Sequence, residues 1–197
     1  EAILAPWGSR LLNAFGGALT TYGMVSYGAW PQVNLKTRGI LMGGANDRMQ
    51  LRNAKLLVMW GANPAWSNAG LPSYHYLQAK KAGAKVISVD PFYNPSATLL
   101  ADEWIPVRPS TDGALALGMA YHMIENGLQD QEFLDKYTVG FDAEHMPEGA
   151  DPQKNFKDYV LGTYDGVPKT PEWASKICGT HPRTIRLFTE QFATIKP

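Results

Sequence analysis

KLLVMWGANPAW, residues 55–66, is the stretch that decides the fold of this chain. Five apolar residues run from Leu56 to Trp60, and the run ends at once at Gly61. A short apolar run bounded by a turn signal predicts a buried strand of a parallel sheet. The residues after it match neither a GxGxxG fingerprint nor a GxxxxGKS phosphate loop, so the strand end requires another explanation.

The residues that follow predict a parallel partner for this strand. The pattern indicates a helix over 69–82, because Lys80 and Lys81 fall in its last turn and Gly83 comes just after it. Lys85 to Val89 is rich in β-branched residues and predicts a second strand. Strand, helix and strand at this spacing predict a βαβ unit with parallel strands.

Elements further along extend the same architecture. Residues 103–107 predict a third strand, and residues 140–170, with their prolines, predict a long surface excursion. Helices are expected over 113–126, capped by Thr111 or Asp112, over 131–137, capped by Asp130, and over 171–177 and 184–194. We therefore predict an α/β fold, a Rossmann-like parallel sheet flanked by helices.

Residues 1–53 differ in composition from residues 54–197. They are rich in glycine and aromatic residues, which predicts a largely irregular or short-helical portion lying on a core. Within it, Asn46-Asp47 is expected to cap a short helix that extends through Asn53. We divide the chain into a loop region, 1–53, and a Rossmann-like part, 54–197.

Composition excludes several classes of function. The 197 residues contain 18 Lys and Arg and 18 Asp and Glu, so a general affinity for nucleic acid is not expected. The single cysteine, Cys178, excludes a disulfide framework and an all-cysteine metal cluster. No apolar run approaches the roughly 20 residues that a membrane span requires.

Ligands of open parallel sheets bind beyond the carboxyl ends of the strands. Gly61 allows close approach of a ligand, and Ser67 offers a hydroxyl near the next helix. Asp90, at the end of the second strand, suits a ribose, and Asp112 can accept two N–H bonds from a guanine edge. Each feature also has a structural explanation: a turn at Gly61 or at Asp90-Pro91, or a helix cap at Asp112.

Several longer segments resemble one family, the catalytic subunits of anaerobic dimethyl sulfoxide reductases within the molybdopterin oxidoreductases. The matching segments are GGALTTYGMVSYGAW (16–30), WGANP (60–64), VISVDP (86–91), ADEWIPVRPSTDGALALGMA (101–120), FLDKYTVGFD (133–142) and DGVPKTPEWASKICG (165–179). They span nearly the whole chain in the order found in that family. ADEWIPVRPSTD and KTPEWAS are the specific ones.

The resemblance implies a cofactor and a metal ligand. Members of this family carry molybdenum held by two molybdopterin guanine dinucleotides and reduce S-oxides or N-oxides by oxygen-atom transfer. A serine oxygen binds the metal in the sulfoxide reductase branch, and this serine corresponds to Ser26. Cofactor-contacting positions of the family correspond to Trp66, Ser67, Val89, Asp90, Ser110, Thr111 and Asp112. At Trp66 many relatives have a polar residue instead.

The resemblance also implies a larger assembly. Relatives carry a 4Fe–4S cluster in a preceding cysteine-containing region, and a further domain holds the second pterin. We therefore interpret the chain as a central portion of a larger subunit that does not turn over substrate alone. The implied partners are an iron–sulfur electron-transfer subunit and a membrane anchor subunit in anaerobic respiration. The implied location is the periplasmic or extracytoplasmic face of the cytoplasmic membrane.

Two alternatives stay open from the sequence. One is a nucleotide-binding module without redox activity that uses only the Asp90 and Asp112 strand ends. The other is a member of the same superfamily that reduces a different oxyanion or organic oxide. The four histidines share no metal-ligand spacing and are expected to be structural or solvated.

Overall fold

The computed structural model describes residues 4–17, 28–40, 47–66 and 72–195. Contacts between Cα atoms divide the chain into two compact units, Glu1–Asn46 and Asp47–Pro197. The first unit contains two helices, α1 (Leu4–Ala14) and α2 (Ala29–Arg38). Gly39 ends α2 in the left-handed conformation, with φ of 70°, which glycine adopts without steric cost.

The second unit alternates strands and helices before ending in helices. A 3₁₀ helix, Arg48–Asn53, precedes the sheet, and Asp47 caps it by accepting a hydrogen bond from the backbone N–H of Met49. The elements that follow are β1 (Leu56–Trp60), α3 (Pro72–Lys81), β2 (Lys85–Val89), α4 (Pro95–Leu100), β3 (Glu103–Ile105), α5 (Asp112–Glu125), α6 (Gln131–Tyr137), α7 (Phe156–Leu161), α8 (Pro171–Cys178) and α9 (Pro182–Thr194). Among the described helices, none combines the length and apolar character needed to cross a membrane.

The three strands form one parallel sheet in the order β1-β2-β3. Trp60 pairs with Val89, and Val89 pairs with Ile105, so all three strands end at the same edge. The predicted α/β class with a parallel sheet flanked by helices is confirmed. The bounds of β1 and β2 are those predicted, whereas β3 ends at Ile105, before Pro106, which has no N–H for a ladder.

Helices cover both faces of the sheet. One face of β2 carries Ile87 and Val89, which are buried in a core shared with α5, α8 and α9. The opposite face carries Val86, which packs with Met59 and Leu100 under α3 and α4. This alternation follows from the period of two along a strand, and on both faces β2, the central strand, is buried, with Ser88 as its one buried polar residue.

In the second unit, two α-helices were not predicted from the sequence. Helix α4 begins at Pro95, and the side chain of Asn94 caps it by accepting a hydrogen bond from the N–H of Ala97 at 2.9 Å. Helix α7 lies within the expected surface excursion, and the Asn155 side chain caps it at 2.8 Å from the N–H of Asp158. Both helices have six residues, too short for a hydrophobic period to be recognised.

The two most specific sequence segments hold the second unit together. In ADEW, Asp102 accepts hydrogen bonds from the backbone N–H of Val86 and from Lys80 Nζ, both at 2.8 Å. In KTPEWAS, Thr170 caps α8 by accepting a hydrogen bond from the N–H of Trp173 at 3.1 Å. Lys169, in the same segment, is buried.

The buried ammonium group of Lys169 is fully engaged. Its Nζ donates to Asp165 Oδ2 at 2.6 Å and to the carbonyl of Val167 at 2.5 Å. It also lies 4.2 Å from the ring centroid of Tyr159, within range of a cation–π interaction. The hydrogen bond from Lys169 holds the pKa of Asp165 below its ordinary value of 3.8. A buried charge of this kind is tolerated because it is paired.

Helices α5 and α8 approach each other closely at Gly118. A Cβ atom added at Gly118 would lie 2.6 Å from the Cβ of Ala174, closer than carbon atoms can pack. Gly113, in the first turn of α5, has no atom within 4 Å of such a Cβ. Glycine at 118 is therefore required by packing, whereas glycine at 113 is not.

We expect Gly118→Ala to lower the free energy of unfolding by about 1–3 kcal/mol, because overpacking outweighs the better helix propensity of alanine. Gly113→Ala in the same helix is the matched control. It adds a methyl group in open space and should be neutral or stabilising by up to about 1 kcal/mol. Denaturant unfolding of both variants measures the difference. Equal stabilities would contradict the close packing of α5 on α8.

We expect Asp165→Asn to weaken the dependence of stability on acidic pH. Because the folded-state pKa of Asp165 is lowered, its ionised form stabilises the fold above the unfolded pKa near 3.8. That contribution is lost as the pH falls through the lower folded-state pKa. The melting temperature of the parent chain should therefore drop more steeply below about pH 4 than that of the variant. Glu148→Gln, which removes an exposed carboxylate other than the one bound by Lys169, is the matched control.

Candidate cofactor-binding edge of the sheet

The carboxyl edge of the sheet begins with a turn at Gly61. Its N–H donates to the carbonyl of Val89 at 2.9 Å, which extends the pairing of β1 and β2 by one residue. Its φ is 59°, in the left-handed region that glycine adopts without strain. The chain can therefore leave the sheet immediately after Trp60 and turn across its edge.

Asp112 is fixed to the end of β1. Trp60 Nε1 donates a hydrogen bond to Asp112 Oδ1 at 2.7 Å, joining residues that are 52 positions apart in the chain. Asp112 is the first residue of α5, where the helix dipole favours a negative charge. Thr111 occupies the cap position, but its side chain makes no cap hydrogen bond. Asp112 therefore has a tertiary role beyond that of a helix cap.

Asp90 forms the turn after β2. Its Oδ1 accepts a hydrogen bond from the N–H of Phe92 at 2.8 Å, and its Oδ2 accepts one from Asn94 Nδ2 at 3.0 Å. Its backbone carbonyl accepts a third from Trp104 Nε1 at 2.9 Å. The turn expected from Asp90-Pro91 is thus present. Each carboxylate oxygen keeps a second acceptor position for a ligand.

The structure brings the two acidic strand ends to one edge. Asp90 directly follows Val89, and Val89 is the register partner of Trp60, whose indole binds Asp112. Both carboxylates therefore follow the ends of neighbouring strands. Asp90 binds Asn94 at the start of α4, which covers one face of the sheet, whereas Asp112 starts α5, which covers the other face.

The turn that leads into α5 is strained at Ser110. Its φ is 63°, the only positive φ among non-glycine residues in the described part of the chain. Thr111 closes the turn, because its N–H and its hydroxyl both donate to the carbonyl of Arg108, at 3.2 and 2.7 Å. Ser110 is exposed, so its hydroxyl faces solvent or a ligand, whereas that of Thr111 is used internally.

The remaining predicted residues differ in their surroundings. Trp66 is 79% exposed, and its N–H donates to the carbonyl of Asn63 at 3.0 Å. The Val89 side chain is fully buried in the core, so a contact from Val89 to a ligand would come from its backbone. Ser26 and Ser67 lie outside the described residues.

Ser96 holds the loop after β1 and was not singled out from the sequence. Its hydroxyl donates to Asn63 Oδ1 at 2.7 Å and accepts from the N–H of Ala65 at 2.8 Å. Ser96 lies on α4, so this helix fixes the shape of the Gly-Ala-Asn-Pro loop. Only the sequence Asn94-Pro95, which marks the start of α4, signals its position in advance.

Arg108 was also not among the site residues predicted from the sequence. Its Nη1 donates to the carbonyls of Lys176 and Ile177 at 3.1 and 3.2 Å, where α8 ends. A cavity of about 380 Å³ lies beside it, between the turn after β2 and the end of α8. The cavity is lined by Pro91, Phe92, Pro106, Val107, Arg108, Pro109, Cys178 and Gly179.

A protein-family model for molybdopterin oxidoreductases matches residues 5–189. The chain belongs to the molybdopterin oxidoreductase family. The resemblance stated from the sequence is thereby confirmed.

Named relatives within the family are much longer than this chain. It is 41% identical over 197 residues to the dimethyl sulfoxide reductase DmsA of Haemophilus influenzae, covering 96% of this chain and 24% of the relative. It is 35% identical over 196 residues to the trimethylamine-N-oxide reductase of the same organism, covering 94% of this chain and 22% of the relative. The chain thus spans about a quarter of the length of these relatives.

A solved structure shares the fold. Acetylene hydratase from Pelobacter acetylenicus matches with a TM-score of 0.53 and 28% identity, over 73% of this chain and 17% of that one. That neighbour is named a hydratase, whereas the sequence relatives are named reductases. The shared fold therefore does not determine the reaction.

The groups at this edge fit a guanine nucleotide. Asp112 presents a carboxylate whose orientation is set by Trp60 and whose oxygens retain acceptor capacity for the N–H groups of a guanine edge. It stands in the first turn of a 14-residue helix, and the exposed indole of Trp66 offers a surface for stacking.

Proposed function

We propose that the chain is the central, cofactor-binding portion of a molybdenum oxidoreductase that reduces S-oxides or N-oxides. The names of its relatives support this proposal, since they are a dimethyl sulfoxide reductase and a trimethylamine-N-oxide reductase. The structural observation that carries it is the Trp60–Asp112 hydrogen bond of 2.7 Å at the carboxyl edge of the sheet.

The proposed cofactor is a bis-molybdopterin guanine dinucleotide. Asp112 would accept hydrogen bonds from the guanine, and Asp90 would accept them from a ribose. Trp66, Ser67, Val89, Ser110 and Thr111 complete the proposed cofactor-binding set, with Val89 acting through its backbone. The bound molybdenum would supply oxygen-atom transfer, while these residues hold and orient the nucleotide arm.

Ser26 is the proposed metal ligand and catalytic residue. A serine oxygen suits a high-valent metal because hard cations prefer oxygen ligands. The single cysteine, Cys178, is buried in the core of the second unit with no exposed surface, so it is not presented to a ligand there. The resemblance to the sulfoxide reductase branch is what singles out Ser26 for the role.

The proposed setting is a complete subunit of the length of the relatives. Electrons would reach the molybdenum through a 4Fe–4S cluster outside this chain and from an iron–sulfur partner subunit with a membrane anchor. The proposed location is the extracytoplasmic face of the cytoplasmic membrane. The competing hypotheses, a nucleotide-binding module without redox chemistry and a superfamily member acting on another oxyanion, predict no reduction of either class of oxide.

We expect Asp112→Asn in the full-length protein to weaken cofactor retention by roughly ten- to a hundredfold, because a charge-assisted hydrogen bond is worth about 1.5–3 kcal/mol. The measurement is the amount of molybdenum and of releasable guanine nucleotide per protein. Glu125→Gln, at the other end of the same helix, is the matched control and should retain both. Full guanine content in the Asp112 variant would contradict the assignment of Asp112.

We expect Ser26→Ala in the full-length protein to abolish reduction of dimethyl sulfoxide and trimethylamine N-oxide while the guanine nucleotide is retained. The physical reason is the loss of the oxygen ligand, which changes the coordination and therefore the redox behaviour of the metal. Activity assays and molybdenum spectra measure the effect. Unchanged spectra would remove Ser26 from the metal site, and a parent protein that reduces neither oxide would disprove the proposed activity.

A further inference from the structure

A second concavity lies far from the carboxyl edge, at the other end of α5. It has a volume of about 500 Å³ and is bounded by the last turns of α5, by α6, by residues 138–141 and by Phe156 of α7. Its walls are almost entirely apolar. The residues that matter most here are Met123, Ile124, Phe133, Val139 and Phe156. We call this the α5–α6 pocket.

Large apolar side chains around the α5–α6 pocket remain in contact with solvent. Phe133 is 53% exposed and Val139 is 73% exposed, although both line the pocket. Adjacent exposed apolar side chains around one concavity mark an interaction site, whereas scattered ones do not. The exposed apolar side chains therefore indicate that the α5–α6 pocket is a binding surface.

One polar atom in the pocket wall lacks a partner. The Oε1 atom of Gln129 is buried and has no hydrogen-bond donor among the described residues. The Gln129 amide is oriented by its Nε2, which donates to Gln131 Oε1 at 3.3 Å. A buried acceptor without a partner destabilises the fold, and an incoming N–H or O–H group would satisfy it.

Asp130 lies on the rim of the pocket, and the segment that begins there is acidic although the chain as a whole is neutral. Residues 130–151 contain the carboxylates Asp130, Glu132, Asp135, Asp142, Glu144, Glu148 and Asp151. Lys136 is the only lysine or arginine in this segment, and Lys154 and Lys157 follow it. His145 lies against Asp135 and Asp142, and Lys154 lies against Asp151, so four of the seven carboxylates have no ion pair among the described residues. Such a rim favours a positively charged occupant and disfavours a negatively charged one.

An apolar centre with a charged rim is typical of contacts between domains of one polypeptide, which are more polar than a core. The reductase relatives are about four times as long as this chain, since it spans 24% of one of them. A polypeptide of that length has ample segments outside these residues to cover the pocket.

We propose that the α5–α6 pocket receives an apolar segment, flanked by lysine or arginine, from a part of the same polypeptide outside these 197 residues. The apolar side chains of that segment fill the space between α5 and α6, and one of its N–H or O–H groups reaches Gln129. Its basic residues face the carboxylates of the rim. This proposal rests on the proposed function only in assigning the chain to a subunit of the length of its relatives.

The test is photo-crosslinking in the full-length protein, with p-benzoylphenylalanine replacing Phe133. The matched control places the same group at Phe192 of α9, which is 52% exposed and lies outside the pocket. We expect the probe at 133 to capture one peptide of the same polypeptide, beyond residues 1–197, with apolar residues next to lysine or arginine. Mixing isotope-labelled and unlabelled protein distinguishes capture within a chain from capture of a second copy.

A second substitution tests the pocket itself. Val139→Asp, added to the Phe133 probe protein, should lower the crosslink yield by roughly tenfold, because burying an unpaired carboxylate in an apolar site is costly. Charge reversal with Glu132→Lys and Asp135→Lys should also lower the yield, more at low salt than at high salt. An unchanged yield in either variant would overturn the proposed occupant.

Other outcomes also overturn the proposal. They are capture of another polypeptide or a second copy, capture within residues 1–197, capture of the same peptide by the probe at 192, and no capture at all. Failure of the proposed function gives a different result. The unmodified protein would then lack reductase activity, while the probe at 133 would still form the crosslink. Conversely, a missing crosslink in an active protein overturns only the docking proposal.

Discussion

Parallel pairing of three strands is the constraint on which the rest of this structure depends. Because β1, β2 and β3 run in the same direction and in register, the residues after each strand must emerge at one edge. Helices on both faces bury the sheet, which leaves this edge as the place where backbone and polar side chains can meet a ligand. The Trp60–Asp112 hydrogen bond then fixes the start of α5 against the end of β1.

The sequence predicted those features that depend on short-range patterns. Strands β1 and β2 have the predicted bounds because an apolar run and a following glycine or proline define each one. Helix α4 escaped prediction because six residues cannot display a helical period. Pairing of Trp60 with Asp112 could not be foreseen either, since a contact across 52 residues depends on tertiary folding.

The segments that identify the family are to a large extent structural. Asp102 links the start of strand β2 to the end of α3 through hydrogen bonds, and Lys169 is a buried cation paired with Asp165. Thr170 starts α8. A family-specific sequence segment therefore need not mark a reacting group, and Asp102, Lys169 and Thr170 maintain the sheet and its helices.

Helix α5 connects the carboxyl edge of the sheet with the α5–α6 pocket. Its first residue carries the carboxylate at the sheet edge, and its last turns form a wall of the apolar concavity, about 20 Å away along 14 residues. Gly118, at the middle of α5, allows Ala174 of α8 to pack against the backbone of α5. Helix α5 therefore cannot slide along its axis without displacing α8. Any axial shift of this helix would therefore move the carboxylate at the sheet edge and the wall of the apolar concavity together.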